Sequence, residues 1–198
     1  MKKLIDTMKN YGFSNEVIAG VLGNIKVECN FELKAENMNY TTINALRNTF
    51  PSKFKNMNEK QVLSYTKNPQ KLGDFVYVEK GGYKYRGRGF IQITGLANYK
   101  AYSELLKLDL ANNPDLALRE DIACLIVIEY IKQVAFKKYP SLNGIRDINT
   151  VADIITKSVQ GFGKNYNVGF LKEHLEKKRN YAVKYFKELE INEIIEKK

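Results

Sequence analysis

Two acidic side chains near the N-terminus have types and positions that suit acid–base chemistry, and the first is Glu28. It lies seven residues after Val21 and three after Ile25, so it continues the apolar stripe of a helix predicted to begin after Ser14. Partial burial disfavours the charged form of a carboxyl group, so we expect a raised pKa, as a general acid requires. The alternative is a carboxylate at a helix end, paired with a lysine such as Lys26. Helix geometry alone favours neither interpretation.

The second acidic side chain follows in the stretch "ECNFELKAENMNY", which contains Glu32 and Glu36. If the helix ends near Cys29, the chain can fold back and bring Glu36 towards Glu28. Two carboxyl groups, one protonated and one ionised, are the minimum apparatus for hydrolysing a glycosidic bond. Glu32 is expected to be a surface charge. Paired glutamates are common, so the pair by itself is weak evidence.

A glycine- and tyrosine-rich run, "GGYKYRGRGFIQITGLANY" at residues 81–99, supplies neutral polar groups. It lacks the GK[ST] end of a phosphate-binding P-loop and does not fit the dinucleotide fingerprint. Its arginines and tyrosines could stack on single-stranded nucleic acid. The ordered rhythm of "FIQITG" instead indicates a folded loop in which Gln92 and Thr94 could bond a sugar chain. Arg86 and Arg88 are then expected to brace the loop.

The elements that must position these residues are mostly helices. "FVYVEKGGYKY", residues 75–85, alternates apolar and polar residues around Gly-Gly, which predicts a small β-hairpin. Apolar periodicity and capping residues predict the helices. They cover residues 15–29, 58–67, 97–107, 113–138, 150–159 and 168–188, followed by a fraying tail of about ten residues. The predicted fold is therefore mainly α, with one small β element.

Composition excludes several classes of protein. The 198 residues, with 44% hydrophobic content and no repeat or linker, predict one folded domain over 1–198. Two cysteines, Cys29 and Cys124, are too few for a disulfide framework, and they are expected to be reduced. The single histidine, His174, rules out HExxH and two-histidine metal sites, and "EHLEKKR" predicts that it lies on an exposed helix face. The net charge of +10 predicts attraction to polyanions.

The run "YKYRGRGFIQITGLANY" closely resembles the signature of glycoside hydrolase family 19, the chitinase-like group that includes many phage endolysins. Two further segments are similar to the family. The first is Glu28 followed by an aromatic residue and "ENMNY" at 36–40, and the second is "NPQKLGDFVY" at 68–77. A fainter likeness occurs in "ITKSVQGF". The chain departs from the family at Val27, where histidine is common, and at the shortened turn after Glu28.

The resemblance implies a role for each matching position. Glu28 matches the general acid, Glu36 the second carboxylate and Thr94 the hydroxyl that holds the attacking water. An inverting mechanism is implied. The residues expected to bind substrate are Gln92, Asn98, Tyr99, Tyr40 and Tyr85. Glu79 is an alternative second carboxylate, which would otherwise be an exposed charge in a hairpin turn.

The resemblance also implies a lysozyme-like α+β fold with a substrate cleft between two lobes. The expected function is that of a peptidoglycan-cleaving phage-type endolysin without a separate wall-binding domain, a cofactor or a metal. The chain is expected to be monomeric, to be made in the host cytoplasm without a signal peptide, and to act on the anionic cell wall after release. No nucleic-acid partner is expected. No membrane insertion is expected either, because no run approaches the ~18 apolar residues of a membrane span. The alternatives are a chitinase of the same fold, a non-catalytic wall-binding relative, and a basic nucleic-acid-binding module.

Overall fold

The computed structural model describes residues 1–160 and 169–196, and the chain forms two compact units. The first unit consists of Met1–Glu32 and Glu120–Lys198, and the second of Leu33–Arg119. The helices of the first unit are α1 (Lys2–Asn10), α2 (Asn15–Cys29), α8 (Glu120–Ile131), α9 (Ile148–Gln160) and α10 (Gly169–Glu196). Those of the second are α3 (Ile43–Thr49), α4 (Pro51–Phe54), α5 (Glu59–Leu63), α6 (Pro69–Val76) and α7 (Leu96–Leu106).

The first unit is built around α2, most of whose residues are buried. Its start follows the prediction, because the Ser14 side chain accepts a hydrogen bond from the Val17 amide. It ends where Asn30 adopts the left-handed conformation, with φ of 52°. Helices α9 and α10 pack against it. Among the buried apolar residues of this unit are Leu4, Met8, Val17, Ile18, Leu22, Ile128, Ile155, Ala182 and Leu189.

The second unit has short helices around a core that is rich in aromatic side chains. Helix α5 begins at a capping box formed by Asn58 and Gln61, and α6 begins with Asn68 as N-cap and Pro69 in its first turn. The buried residues of its core are Met38, Leu46, Phe54, Val62, Leu72 and Val76, with Tyr40, Phe50, Tyr65, Phe75, Tyr77 and Tyr83 packed around them.

The β-hairpin predicted at residues 75–85 is wrong. This stretch is the end of α6 followed by two 3₁₀ turns, Val78–Lys80 and Tyr83–Tyr85. Alternation of apolar and polar residues over so short a stretch does not distinguish a strand from a helix. Here Val76 is one turn after Leu72 on α6, and both side chains are buried in the core. Within the described residues, the β structure consists of isolated bridges that pair Arg88 with Ala35 and with Ile93.

Several helix boundaries also differ from the prediction. Asn113–Pro114 starts a 3₁₀ turn, Pro114–Leu118, and α8 begins only at Glu120 and ends in a π-helical turn, Lys132–Phe136. Helix α5 ends at Leu63, before the predicted end at residue 67, and α10 extends to Glu196, past the predicted end at residue 188. Helices α1, α3, α4 and α6 were not predicted. Part of the "ITKSVQGF" likeness lies outside the described residues. Within the described ranges, no helix is long and apolar enough to cross a membrane.

Candidate active site

Glu28 lies in the last turn of α2, in the first unit. Its side chain is 45% exposed, which is more than its position in the apolar stripe predicts. The two residues at the helix end, Asn30 and Phe31, both have positive φ, of 52° and 61°. A bulky residue such as Phe31 rarely adopts this conformation. Its ring packs edge-on against Tyr185 of α10, with the ring centroids 6.0 Å apart. The turn after Glu28 is thus fixed by contacts with α10.

Three hydrogen-bonding groups converge on one oxygen of Glu28, Oε1. Lys178 Nζ donates to it in an ion pair, Gln160 Nε2 donates at 3.4 Å, and His174 Nε2 lies 3.2 Å away. Lys178 and His174 are one turn apart on α10, and Gln160 is the last residue of α9. Because all three bind Oε1, they fix the orientation of the carboxyl group and leave its second oxygen directed elsewhere.

This arrangement corrects the expected pKa of Glu28. Burial raises the pKa, but the hydrogen bond and charge of Lys178, with the bonds to His174 and Gln160, outweigh burial and leave it below the ordinary value of 4.5. Glu28 is therefore ionised in the free protein at neutral pH. One of the two interpretations of Glu28 was a carboxylate paired with a lysine such as Lys26. The structure pairs it with a lysine, but this lysine is Lys178, and Lys26 instead donates to the Asn30 side chain.

Lys178 is a fully buried cation, and its side chain has no exposed surface. Desolvation lowers the pKa of its ammonium group, while the hydrogen bond and charge of Glu28 oppose that shift. A buried lysine is rare unless it is paired. His174 is half-buried beside it, with a side chain 24% exposed, so the expectation that His174 lies on an exposed helix face is wrong.

Glu36 lies in the second unit, where a tyrosine holds its carboxylate. The Tyr77 hydroxyl is 2.7 Å from one carboxylate oxygen and 2.9 Å from the other. The Gly87 amide donates to the same carboxylate at 3.3 Å, and the Glu36 amide donates to the Gly87 carbonyl at 2.8 Å. Burial, together with the hydrogen bond and charge of Glu36, raises the pKa of Tyr77 well above its usual range. Tyr77 is therefore a neutral donor to the Glu36 side chain.

Thr94 and Gln92 approach the same glycine. A Cβ atom at Gly87 would lie 2.7 Å from Gln92 Oε1, which would have to move, and 3.3 Å from Thr94 Oγ1, which would be crowded. Gln92 has φ of 50°, and its amide nitrogen donates to the carbonyls of Lys34 and Gly89 at 3.0 and 2.8 Å. Within the second unit, the structure thus brings together Glu36, Gln92 and Thr94 around Gly87.

The remaining predicted substrate-binding residues take different positions. Asn98 is exposed, and its side-chain amide donates to the Thr94 carbonyl at 2.8 Å. Tyr99 is fully buried, and its hydroxyl donates to the Arg86 carbonyl at 3.0 Å, so it supports the loop from inside and has no surface to offer a sugar. Tyr85 bonds the Ala111 carbonyl at 3.0 Å and packs against Tyr99. Tyr40 packs edge-on against Phe50 in the core of this unit.

The expected bracing role of the arginines is confirmed. Arg88 is 3% exposed, forms an ion pair with Asp115 at 2.7 Å, and donates to the Tyr99 hydroxyl at 3.1 Å. The Arg86 guanidinium lies over the Tyr83 ring, 4.1 Å from its centroid. Both side chains are used within the loop, which explains why this basic run is ordered.

Glu79 shares a surface groove with two of the predicted site residues. The groove has a volume of about 440 Å³ and is lined by Glu79, Lys80, Gly81, Thr94, Gly95, Leu96, Ala97, Asn98 and Lys100. Glu79 is exposed on the 3₁₀ turn after α6. Two carboxylates of the same unit are therefore related to Thr94. Glu36 accepts from the Gly87 amide, and Gly87 lies next to Thr94, while Glu79 lines the same groove as Thr94. The geometry of the second unit keeps both as candidates for the catalytic base.

Sequence reasoning missed Tyr77, Lys178 and Gln160, and it assigned no role to His174. A usable signal existed for Lys178, which occupies the apolar stripe of α10 with Ala182, Tyr185 and Leu189, all buried. An ionisable residue in an apolar stripe had singled out Glu28, and the same criterion applied to α10 would have found its partner. Tyr77 carries no comparable signal, because tyrosines are common in this chain.

The fold is mainly α and lysozyme-like, of the type found in chitinases of glycoside hydrolase family 19. It is shared with chitinase C from Streptomyces griseus HUT6037, at a TM-score of 0.57 and 19% identity over 94% of this chain and 69% of that chain. A mutant of chitinase C superposes at a TM-score of 0.57 and 18% identity, over 94% and 68% of the two chains.

The family model described as phage tail lysozyme matches residues 1–189, so the chain belongs to the phage tail lysozyme family. A Haemophilus influenzae protein described as "Glycosyl hydrolase family 19 domain-containing protein" is 31% identical over 129 residues, 56% of this chain and 63% of that protein. Chitinase 8 of Oryza sativa subsp. japonica is 33% identical over 87 residues, 42% of this chain and 33% of the rice protein. The matches thus cover less than two thirds of either relative. They confirm the predicted relation to glycoside hydrolase family 19.

Proposed function

We propose that the protein is a peptidoglycan-cleaving glycosidase that hydrolyses β-1,4 bonds between N-acetylated sugars with inversion. The observation that carries the proposal is the different environment of its two glutamates. Glu28 is bound by a buried lysine, whereas Glu36 accepts from a neutral phenol and a backbone amide. Two carboxyl groups whose surroundings differ in this way can divide the roles of acid and base.

In the proposed mechanism Glu28 protonates the glycosidic oxygen as the bond breaks. Its three donors bind Oε1, so Oε2 is the oxygen that carries the proton to the substrate. A glutamate beside a cation is a stronger acid than an isolated one, but it is protonated in a smaller fraction of molecules. The free enzyme therefore loads its proton in the acidic range, or when the sugar excludes water from the exposed side of the carboxyl group.

Glu36 is proposed to take the proton from the attacking water, and Thr94 to help hold that water. Tyr77 keeps the Glu36 carboxylate in place by donating to both of its oxygens. Gln92 and Asn98 are proposed to bind the sugar, since each presents an amide near Thr94. The proposed place of action is the bacterial cell wall, and the net charge of +10 favours attraction to an anionic wall.

The proposed role of Glu28 as the acid is tested by measuring how fast a suspension of purified peptidoglycan loses turbidity. We expect Glu28→Gln to lower the rate by about 10²–10⁴-fold, the range by which general acid catalysis contributes. Glu176→Gln is the matched control, because it neutralises an exposed carboxylate on α10. Lysis by Glu28→Gln at the wild-type rate would show that the acid is misassigned.

The choice of base is tested by a second pair of variants. We expect Glu36→Gln to lose activity as Glu28→Gln does, and Glu79→Gln to retain at least about half of it, since Glu79 lies on the exposed turn and Glu36 is held by Tyr77. The reverse result would assign the base to Glu79, the carboxylate in the groove with Thr94.

A chitinase of the same fold is the second candidate. It is favoured by the 33% identity to a rice chitinase over 87 residues and by the fold shared with chitinase C. Mass spectrometry of the products from peptidoglycan and from chitin oligomers distinguishes the two functions. It also shows which of the two glycosidic bonds of peptidoglycan is cut.

A further inference from the structure

The positive charge is unevenly divided between the two units. The second unit, Leu33–Arg119, contains 14 Lys and Arg against 7 Asp and Glu, a net charge of +7. The first unit contains 18 against 15, a net charge of +3, although it has more residues. The unit that contains Glu36 and Thr94 therefore carries most of the excess charge of the chain.

Within the second unit, the charge is concentrated in residues 47–71, which we call the basic segment. It covers the end of α3, all of α4 and α5, and the start of α6. Its only acidic residue is Glu59, and its basic residues are Arg47, Lys53, Lys55, Lys60, Lys67 and Lys71. The net charge of these 25 residues is +5.

The lysines of the basic segment are directed to solvent. Phe54, Val62 and Leu72 fill the core, so the lysines between them in sequence are left at the surface. Lys55, Lys60 and Lys67 are exposed, and within the described residues none of them forms an ion pair. Arg47 and Lys71 have partners, because the Arg47 guanidinium donates to the Met57 carbonyl at 3.0 Å and Lys71 Nζ donates to the Ser64 hydroxyl at 2.9 Å. Several unpaired ammonium groups thus lie on one continuous segment.

The basic segment adjoins the Glu36 site in the same unit. It is the part of the chain between Glu36 and Tyr77, whose side chains bond at 2.7 Å. At its far end, the Lys67 amide donates to the Tyr40 carbonyl at 2.7 Å, which returns the chain to the residues next to Glu36. The C-terminal part of the basic segment therefore lies beside Tyr40, one of the residues predicted to bind substrate.

We propose that the basic segment binds the carboxylates of the peptide stems on a peptidoglycan strand, and that it makes the enzyme prefer this acidic glycan to neutral chitin. The inference rests on the proposed function. Lysine ammonium groups are mobile point charges on flexible stems, which suits carboxylates that are not held in one geometry. A neutral N-acetylglucosamine polymer gains nothing from such a surface.

The test compares two triple variants with the same change of charge. Lys55→Gln, Lys60→Gln and Lys67→Gln together remove three exposed charges from the basic segment, leaving Lys71, which lies over the Tyr65 ring. The control removes three exposed charges from the first unit by replacing Lys137, Lys172 and Lys187 with Gln. Binding is measured by co-sedimentation with peptidoglycan sacculi stripped of phosphate polymers.

We expect the segment variant to raise the dissociation constant about five- to tenfold at low salt, and the control variant to raise it less than twofold. The difference should vanish at about 0.5 M salt, and also on sacculi whose carboxylates have been amidated, because both treatments remove the charge attraction. Hydrolysis of a neutral chitin oligomer by the segment variant should equal that of the wild type.

Four outcomes would overturn the proposal. Equal losses in both triple variants would show that only net charge matters. Loss on the neutral oligomer would show a structural effect. Wild-type binding that requires phosphate polymers on the wall would assign the surface to phosphate, and equally tight binding of single-stranded DNA would assign it to nucleic acid. Failure of the wild type to hydrolyse any glycan would instead refute the proposed function, while sedimentation would still report on the segment.

Discussion

At the scale of residues, Glu28 and Glu36 differ in what binds them. Glu28 is held on one oxygen by a buried cation and two further polar groups, so the structure favours its ionised form. Glu36 is held on both oxygens by a hydroxyl that stays neutral. The first arrangement lowers the pKa of a carboxyl group and orients it, and the second holds a carboxyl group in place.

Lys178 is expected to set the pH dependence of activity. The acid form of Glu28 is lost as pH rises through its pKa, which lies below 4.5 in the free protein. Lys178→Met removes the main group that lowers this pKa, and burial, which raises it, remains. We therefore expect the alkaline limb of the kcat/KM profile to move to higher pH, since kcat/KM reports the pKa of the free enzyme. The measurement uses a soluble oligosaccharide.

Lys178→Arg is the matched control for this prediction. Arginine keeps the positive charge beside Glu28, so the limb should stay at its wild-type pH even if the rate falls. His174 remains near Glu28 in both variants. A limb that does not move in Lys178→Met, in a protein that is folded by circular dichroism, would show that Lys178 does not set the acidity of Glu28.

At the scale of elements, the close packing of α2 against α10 holds Lys178 next to Glu28. A Cβ atom at Gly23 would lie 2.5 Å from the Lys178 carbonyl oxygen and 2.9 Å from the Ala182 amide nitrogen. These are backbone atoms, which cannot move aside as a flexible side chain can. The absence of a side chain at Gly23 is therefore what allows the two helices to approach, and it brings the Lys178 backbone to α2.

Gly23→Ala tests this packing. We expect it to lower the free energy of unfolding by about 1–3 kcal/mol, the usual cost of overpacking, measured by urea denaturation. Activity should fall as well, because the collision is with the backbone of Lys178.

Gly144→Ala is the control for Gly23→Ala. Nothing lies within 4 Å of a Cβ atom at that position, so stability should change by no more than about 0.5 kcal/mol. Equal stabilities of the two glycine variants would contradict the proposed role of the α2–α10 contact.

At the scale of the whole molecule, each unit has its own core and its own candidate functional residues. The first unit contains Glu28 and its partners, and the second contains Glu36 with Gln92 and Thr94. Both cysteines belong to the first unit, where they are reduced and buried, as the sequence predicts. Burial raises the pKa of the Cys124 thiol to about 11, with a smaller contribution from the charge of Glu120.

The burial of both thiols predicts how the folded chain responds to a thiol reagent. Because the thiolate is the reactive form and both sulfurs are buried, we expect no labelling of the native protein by Ellman's reagent at pH 8 over about an hour. Both cysteines should react in about 6 M guanidinium, where the first unit is unfolded. Rapid stoichiometric labelling of the native protein would show that this unit opens readily.

The sequence by itself determined the local and the motif-level features. Apolar periodicity and the Ser14 cap predict α2, and the resemblance of Glu28, "ENMNY" and the glycine-rich run to glycoside hydrolase family 19 predicts the chitinase-like family. The bracing role of Arg88 also followed from the ordered rhythm of its surroundings. These features depend on residues close together in the chain, where helix period, capping and turn chemistry act directly.

Only the tertiary structure decided which groups meet. Lys178 is 150 residues from Glu28 in sequence, and their contact lowers a pKa that burial alone would raise. Tyr99 matched the family motif but is buried inside the loop, and residues 75–85 became a helix end because α6 packs Leu72 and Val76 into an aromatic core. Charge, burial and packing partners are set by segments distant in the chain, so local pattern could name Glu28 but not the ammonium group that controls it.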